Sequence, residues 1–285
     1  MKTPKRLIPL IEDGLIDEVL YQLMSGKEAT VYAVKSRGEI ICAKVYKEAM
    51  KRSFKKAAQY QEGRKVRNTR RARAMEKGSS FGRKQQEDAW QNAEVDALFT
   101  LSAAGVRVPQ PYGCYDGVLL MELVTDDDGN VAPRLNDVSM NEEQALEDHA
   151  QVMMYVMLML CAGVVHGDLS EFNVLVDDYG PVIIDLPQAV DAAANNNAFS
   201  MLQRDVRNMT EYYAEFAPQL QQTHYAEEMW ALYEAAELTP ESELTGQFEF
   251  DDSETDVDTV LEEIKAAFAE EQARLERLRE ASSDE

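Results

Sequence analysis

The sequence predicts an α+β protein of two lobes, a small β-rich one followed by a mainly helical one, and three observations carry the prediction. Alternating and β-branched residues crowd the early chain, in Ala29-Thr30-Val31-Tyr32-Ala33-Val34-Lys35 and Glu39-Ile40-Ile41-Cys42-Ala43-Lys44-Val45-Tyr46. Helical spacing dominates the later chain, over Asn141 to Cys161 and again over Phe199 to Glu237. Strands that come first and helices that come later stack as separate layers, unlike the strict alternation of a parallel α/β sheet. A chain of 285 residues that is 45% hydrophobic can fill both cores.

Taken in order, residues 1–20 read as an N-terminal extension and 21–124 as the first lobe. Ser36-Arg37-Gly38 joins its two clearest strands, an Arg-Gly pair suited to a hairpin turn. Residues 47–86 read as a flexible basic insertion, because Lys47 to Lys84 carries fourteen Lys or Arg against three Glu, a net +11. The spacing of Trp90, Ala93, Ala97, Leu98 and Leu101 predicts a helix over Glu87 to Ala103, with Gly105 as its stop. Val118 to Leu123 reads as a buried strand, and Asp126-Asp127-Asp128-Gly129-Asn130 as a loop by its turn chemistry.

The second lobe spans 125–238, with short strands at Val174 to Val176 and Val182 to Ile184 between its helices. Residues 239–285 form an acidic tail, sixteen acids facing four bases from Glu241 onward. Disorder is expected over Glu241 to Asp256, and a terminal helix over Val257 to Leu278.

Composition excludes several classes. A net charge of −23 repels polyanions from the chain as a whole, so any contact with nucleic acid must be local. The longest apolar run, Val152 to Val165, is fourteen residues, too short to cross a hydrocarbon core of roughly 30 Å as a helix. The start does not lead into an apolar block with a small-residue cleavage site, and three widely spaced cysteines make neither a disulfide framework nor a zinc site. A cytoplasmic protein without a membrane partner is expected.

Four stretches carry chemistry, and their order matters. Ser25-Gly26-Lys27-Glu28-Ala29-Thr30-Val31-Tyr32 is a glycine-containing turn between strands, where backbone N–H groups and a hydroxyl can approach phosphates; alone it also fits an ordinary hairpin. Lys44 lies in an otherwise apolar strand and needs a counter-charge. Glu94 on the following helix is the best placed, and spacing leaves Glu87 and Asp96 open.

In His166-Gly167-Asp168-Leu169-Ser170-Glu171-Phe172-Asn173, a carboxylate is followed five residues later by a carboxamide, ahead of a hydrophobic strand. Asp168 can orient an attacking hydroxyl and accept its proton, and Asn173 can bring a neutral oxygen to magnesium. Val182-Ile183-Ile184-Asp185 then sets a second metal-binding carboxylate at a strand end. His166 beside Asp168 reads as a backbone buttress, and Met153, Met154, Met157 and Met159 as core filling.

At these residues the chain resembles the protein-kinase-like fold and, within it, the RIO family of atypical serine/threonine kinases. The Ser25–Tyr32 stretch is similar to that family's nucleotide loop, Leu169-Ser170-Glu171-Phe172-Asn173 to its catalytic loop, and Ile183-Ile184-Asp185-Leu186-Pro187-Gln188 to its metal loop. Val108-Pro109-Gln110-Pro111-Tyr112, Met121-Glu122-Leu123-Val124 and Ala132-Pro133-Arg134-Leu135 extend the likeness to about 190 residues. The resemblance implies ATP with Mg²⁺, or Mn²⁺ in its place, as cofactors. It implies that Lys44 holds phosphates and pairs with Glu94, that Asp168 is catalytic, and that Asn173 and Asp185 bind metal. It further implies that Ser25 and Lys27 approach the triphosphate, that Met121 sits beside the adenine with Glu122 and Val124 as hinge groups, and that Val31 and Ile184 sandwich the base. Autophosphorylation, an ATPase role in ribosome maturation and a phosphate-accepting Asp185 belong to the same implication.

One glycine in the nucleotide loop, Leu186-Pro187 after Asp185, and no Ala-Pro-Glu ahead of Phe199 separate the chain from conventional eukaryotic kinases. The basic 47–84 segment suits a solvated helix, a ribosome or RNA contact, or autophosphorylation at Ser53, Thr69, Ser79 or Ser80. Two rival functions are a small-molecule kinase of aminoglycoside or choline type, which shares His-Gly-Asp-Leu and the later Asn, and a nucleotide-binding assembly factor without catalysis. Ser170-Glu171-Phe172 and Leu186-Pro187-Gln188 argue against the first, and a full set of polar site residues against the second.

Overall fold

The computed structural model describes residues 3–26, 29–47 and 93–249. Lys27, the basic segment beyond Lys47, Glu87 and the helix expected over Val257 to Leu278 lie outside the described residues. The chain divides after Gln247 into two compact units, and the elements of the first are the following.

Strands β1 (Glu18–Ser25), β2 (Ala29–Ser36), β3 (Glu39–Tyr46), β4 (Pro111–Tyr115) and β5 (Val118–Glu122) form one antiparallel sheet in the order β1-β2-β3-β5-β4. Arg37 and Gly38 both take positive φ, 52° and 90°, so the β2–β3 turn has the left-handed backbone a tight hairpin requires. The two-residue period of a strand then sorts the side chains. Ile41, Ala43 and Val45 of β3, with Val118 and Leu120 of β5, pack on one face against Leu7, Leu10 and Ile16. Leu7 and Leu10 belong to a short N-terminal helical segment that includes α1 (Ile8–Glu12). The part read as an extension thus contributes three of the most buried side chains of this lobe. The opposite face carries Lys44, Tyr46, Leu119 and Met121, and against it lies a helix described over 93–103 (α2), whose Ala97, Leu98 and Leu101 join the larger core.

The second lobe is built on α3 (Glu142–Cys161), α4 (Ala198–Ala214) and α5 (Tyr225–Glu234). Asn141 caps α3 by accepting from the Gln144 N–H at 2.8 Å. The fourteen-residue apolar run opens inside this helix, and Val152, Met153, Val156, Met159 and Leu160 are buried core. Among the described residues no helix is long and apolar enough to cross a membrane. Two short ribbons complete the lobe: β6 (Val164–Val165) with β9 (Val190–Asp191), and β7 (Val174–Asp177) with β8 (Gly180–Ile183).

Two expectations are corrected. Phe199 to Glu237 is not one helix, because Pro218 opens a 3₁₀ turn, Pro218–Gln222, between α4 and α5. Nor is the start of the acidic tail disordered up to Gln247. Glu228 of α5 accepts from the Thr245 N–H, the Thr245 hydroxyl and the Gly246 N–H at 2.7–2.8 Å, and the His224 N–H bonds Gly246 O at 2.8 Å. Composition missed this because a few local hydrogen bonds hold the segment, with little apolar burial.

Candidate active site

Strand alternation turns Lys44 away from the apolar Ile41, Ala43 and Val45 face and toward α2. Its Nζ lies 2.5 Å from Glu94 Oε1 and 2.9 Å from Asp185 Oδ1. Of the three acids open on spacing, Glu94 is the partner; Asp96 is exposed. Glu94 is 4% exposed, and its second oxygen accepts from the Tyr46 hydroxyl at 2.7 Å. Burial works against the Lys44 charge, but the two carboxylates outweigh it and hold the ammonium above its ordinary value. Partial burial likewise opposes ionisation of Asp185. The Lys44 ammonium at hydrogen-bond distance prevails and keeps that carboxyl below the usual range.

Asp185 and Asn173 meet because of a hairpin. Val174 pairs with Ile183, so the residue before β7 and the residues after β8 emerge at the same end, and the Ile184 N–H bonds Asn173 O at 3.0 Å. Asp185 has φ +67°, a left-handed backbone that Asp tolerates better than most residues and that is a frequent mark of functional positions. The Asn173 Nδ2 donates to Asp168 O at 2.7 Å, which leaves its Oδ1 without a donor among the described residues. Asp168 is exposed, and its Oδ2 accepts from Gln188 Nε2 at 2.9 Å.

The loop is braced from below. His166 is 2% exposed; its Nδ1 accepts from the Asp168 N–H at 3.3 Å and its Nε2 faces Ile184 O at 3.2 Å. Those partners require a neutral ring with the proton on Nε2, and burial depresses its pKa accordingly. The buttress reading of His166 fits this geometry.

Asp205 of α4 was not singled out by sequence. Fully enclosed, it accepts from the Gly167 N–H at 2.7 Å and the Leu169 N–H at 3.0 Å, while Arg204 bonds Gly167 O and Asn208 bonds Leu169 O at 2.9 Å. Burial pushes Asp205 up to about 7, against these N–H donors. A signal was present: the stripe Met201, Leu202, Val206, Met209 puts position 205 on the buried face, where a carboxylate demands partners.

On the nucleotide side, Ser25 Oγ lies 3.2 Å from Thr30 Oγ1, and Lys47 Nζ reaches Ser25 Oγ at 3.0 Å and Gly26 O at 2.5 Å. Val31 is opposite Lys44, and Met121 is opposite Cys42. Of the expected hinge groups, the Glu122 N–H already donates to Gln110 O at 2.9 Å, and the Val124 carbonyl already accepts from the Ala132 N–H at 3.0 Å. The Val124 N–H has no backbone acceptor among the described residues.

The Glu122 side chain has a different use. Arg107 forks onto both its oxygens at 2.9 Å and reaches Asp177 Oδ2 at 2.9 Å, while Arg107 O accepts from the Ile183 N–H at 2.9 Å. One residue in the α2–β4 connection therefore ties together the helix that carries Glu94, the strand that ends beside Met121, and the hairpin that ends at Asn173 and Asp185. Its part in the network was invisible in a sequence with no indication of its partners.

The donor set fits a hard divalent cation and a polyphosphate. A carboxylate with 49% side-chain exposure and a carboxamide oxygen without a donor supply oxygen ligands, and a retained ammonium stands beside them. Asp168 is exposed and stands outside the Lys44 ion pairs.

A RIO-domain family model matches residues 30–227. The chain is 35% identical over 205 residues to the RIO-type serine/threonine-protein kinase Rio1 of Haloferax volcanii, covering 72% of this chain and 66% of that protein. It is 31% identical over 214 residues to the human serine/threonine-protein kinase RIO1, covering 74% and 36%. The match thus spans less than two thirds of these relatives' own length. Among solved structures, a complex of the Rio2 kinase from Chaetomium thermophilum, described as ADP/Mg²⁺-phosphoaspartate, superposes with a TM-score of 0.52 at 20% identity, covering 82% of this chain and 70% of that one, which supports the two-lobed fold.

Proposed function

The chain belongs to the RIO family, and from that premise we propose that it is an ATP- and Mg²⁺-dependent phosphotransferase that phosphorylates Ser or Thr on itself or on another protein. The observation that carries the reading is the convergence of Lys44 on Glu94 and Asp185, with Asp168 and Asn173 joined to the same loop. Asp185 and Asn173 would hold the metal through oxygen. Bound Mg²⁺ would neutralise charge on the β- and γ-phosphates.

Lys44, kept charged and oriented by Glu94, neutralises the phosphates from the N-lobe side. Asp168, aligned by Gln188, receives the proton of the incoming Ser or Thr hydroxyl as its oxygen bonds to the γ-phosphorus and ADP departs. His166, Asp205, Arg204 and Asn208 keep that loop from relaxing, so the positioning is made before substrate arrives. Ser25, Lys27 and Lys47 approach the triphosphate; Val31, Met121, Val124 and Ile184 enclose the base.

Radioactive γ-labelled ATP with the purified chain and with Asp168→Ala tests this. Label on protein only with the unaltered residue supports it. Label passing to an added aminoglycoside or choline, or bound nucleotide without transfer, would replace it with one of the two rival functions.

One observation favours a second use of the same site, as an ATPase switch. Asp185 is ionised and half-exposed, and the Chaetomium relative is described with a phosphoaspartate. Its Oδ would take the γ-phosphoryl group, releasing ADP, and water would then release phosphate and restore the carboxylate. An acyl-phosphate trapped by hydroxylamine and located by mass spectrometry supports this use; none under turnover rejects it.

The basic 47–84 segment is our candidate for a ribosome or RNA contact. Arg70→Glu, Arg71→Glu and Arg73→Glu together should weaken that association at low salt. Three free cysteines suit a cytosolic location.

A further inference from the structure

A cleft of about 620 Å³ lies between the N-terminal half of α3 and the β7–β8 hairpin, and none of its lining residues belongs to the set around Lys44, Asp168 and Asp185. Four carboxylates line it, Glu147, Asp148, Asp177 and Asp178, and among the described residues no basic side chain does. Asp177 is already satisfied by Arg107, and Asp178 Oδ2 accepts from the Asp127 N–H at 2.6 Å.

Asp148 is the unusual member. It is 2% exposed, its Oδ1 accepts from Gln144 Nε2 at 2.8 Å, and its Oδ2 has no hydrogen-bond partner among the described residues. A carboxylate this little exposed, with one oxygen that takes no protein donor on the wall of the cleft, can accept one from an incoming cation. Half-buried Val138, Met140 and Val176 stand in the same wall, where the aliphatic stem of a Lys or Arg can lie. Glu147, exposed at the rim, and Asp178 offer further points for cations.

We propose that this cleft is a docking site for a basic segment of a partner protein, which seats a Lys or Arg head on Asp148 and a second cation between Glu147 and Asp178. The volume falls within the roughly 300–1,000 Å³ of ligand sites and exceeds a single basic side chain. The hydroxyl of Ser139 and the amide of Gln151 in the same lining suit the main chain of a peptide, which a simple polyamine lacks. The docked partner is held away from the phosphoryl-transfer site.

The test is fluorescence anisotropy of the full chain with a fluorescein-labelled dodecapeptide of alternating Arg and Ala. It is run on the unaltered protein, Asp148→Asn, the surface pair Glu147→Gln/Asp178→Asn, and the charge-matched control Glu234→Gln/Glu237→Gln on and just past α5. The proposal expects roughly tenfold or greater weakening in Asp148→Asn, a smaller loss in the surface pair, no change in the control and no competition by ATP. Equal loss in surface pair and control would show attraction to the overall −23 charge and would overturn it. So would unchanged binding in both cleft variants, or displacement by spermidine at concentrations at which it occupies the cleft as tightly as the peptide. Thermal melts check that Asp148→Asn folds; if it does not, the exposed surface pair decides. A failed phosphotransfer assay leaves these binding outcomes intact.

Discussion

Replacing Arg107 by Met removes a guanidinium with two bonds to Glu122 and one to Asp177, all at 2.9 Å, and keeps the apolar stem. The magnitude follows from exposure. The Arg107–Glu122 pair is 32% and 27% exposed at the side chains, so water screens it and its loss costs on the order of 1 kcal/mol. Asp177 is different: its side chain is 2% exposed, and without Arg107 the carboxylate retains the Tyr179 N–H on its other oxygen. Stranding a buried charge costs about 2–3 kcal/mol. Urea unfolding at pH 7.5 should therefore show Arg107→Met less stable by about 3 kcal/mol. Asp177→Asn in the Arg107→Met background should then cost far less than in the parent, a coupling of about 1–2 kcal/mol. Because Glu122 adjoins Met121, ATP affinity should fall several-fold as well. A loss under about 0.5 kcal/mol, or full additivity of the two substitutions, would refute the claim that Arg107 joins the lobes through Asp177.

Tyr46→Phe leaves Glu94 Oε2 buried without its donor while the Lys44 contact on Oε1 persists, so stability should drop by about 1–2 kcal/mol in thermal or urea melts, with ATP affinity reduced less than by Lys44→Met. Gln188→Ala removes the amide donor from Asp168 Oδ2; kcat should fall about tenfold with the KM for ATP nearly unchanged, because the contact aligns the proton acceptor and not the nucleotide. His149, 1% exposed, has a pKa lowered from 6.5 to about 4 by burial. Below pH 6.5 the unfolded chain takes a proton that the folded chain refuses until about pH 4, so this group's stability contribution is full above 6.5 and shrinks by about 3 kcal/mol as pH falls through that window. Asp205, raised from 3.8 to about 7, works in the opposite direction over the same range. The comparison is therefore between the parent and His149→Gln in urea at pH 7 and pH 4.5, where their difference should change in favour of the variant.

Local chemistry made the strands and the catalytic loops legible. Period-two alternation put Lys44 on the face away from Ile41 and Val45, and the Arg37-Gly38 turn fixed the β2–β3 register that follows. Asn173 and Asp185 were readable as a pair because a short hairpin needs nothing beyond its own sequence to bring its two ends together. The choice of Glu94 over Glu87 and Asp96 was not decidable by spacing, since helix phase against a sheet depends on which side chains pack, here Ala97, Leu98 and Leu101. Asp205 and Arg107 were missed for a related reason: each acts through partners 15 to 70 residues away, and a lone charged residue carries no record of them.

That division has a mechanical consequence. The residues proposed to touch ATP, metal or hydroxyl sit on strand ends and tight loops, which define direction but resist displacement weakly. Their position is set by groups behind them: the enclosed Asp205 beneath the Asp168 loop, and the buried Asp177 carboxylate that the half-buried Arg107 pairs with. A buried charge contributes little net stability when paired and is expensive when unpaired, so it penalises departures from one geometry more than it rewards folding. Substitutions at Asp205 or Arg107 should therefore broaden the arrangement of Lys44, Asp168 and Asp185 before they unfold the chain. In these variants activity should fail at temperatures below the melting transition, whereas loss of an apolar core residue such as Leu160 should lower both together.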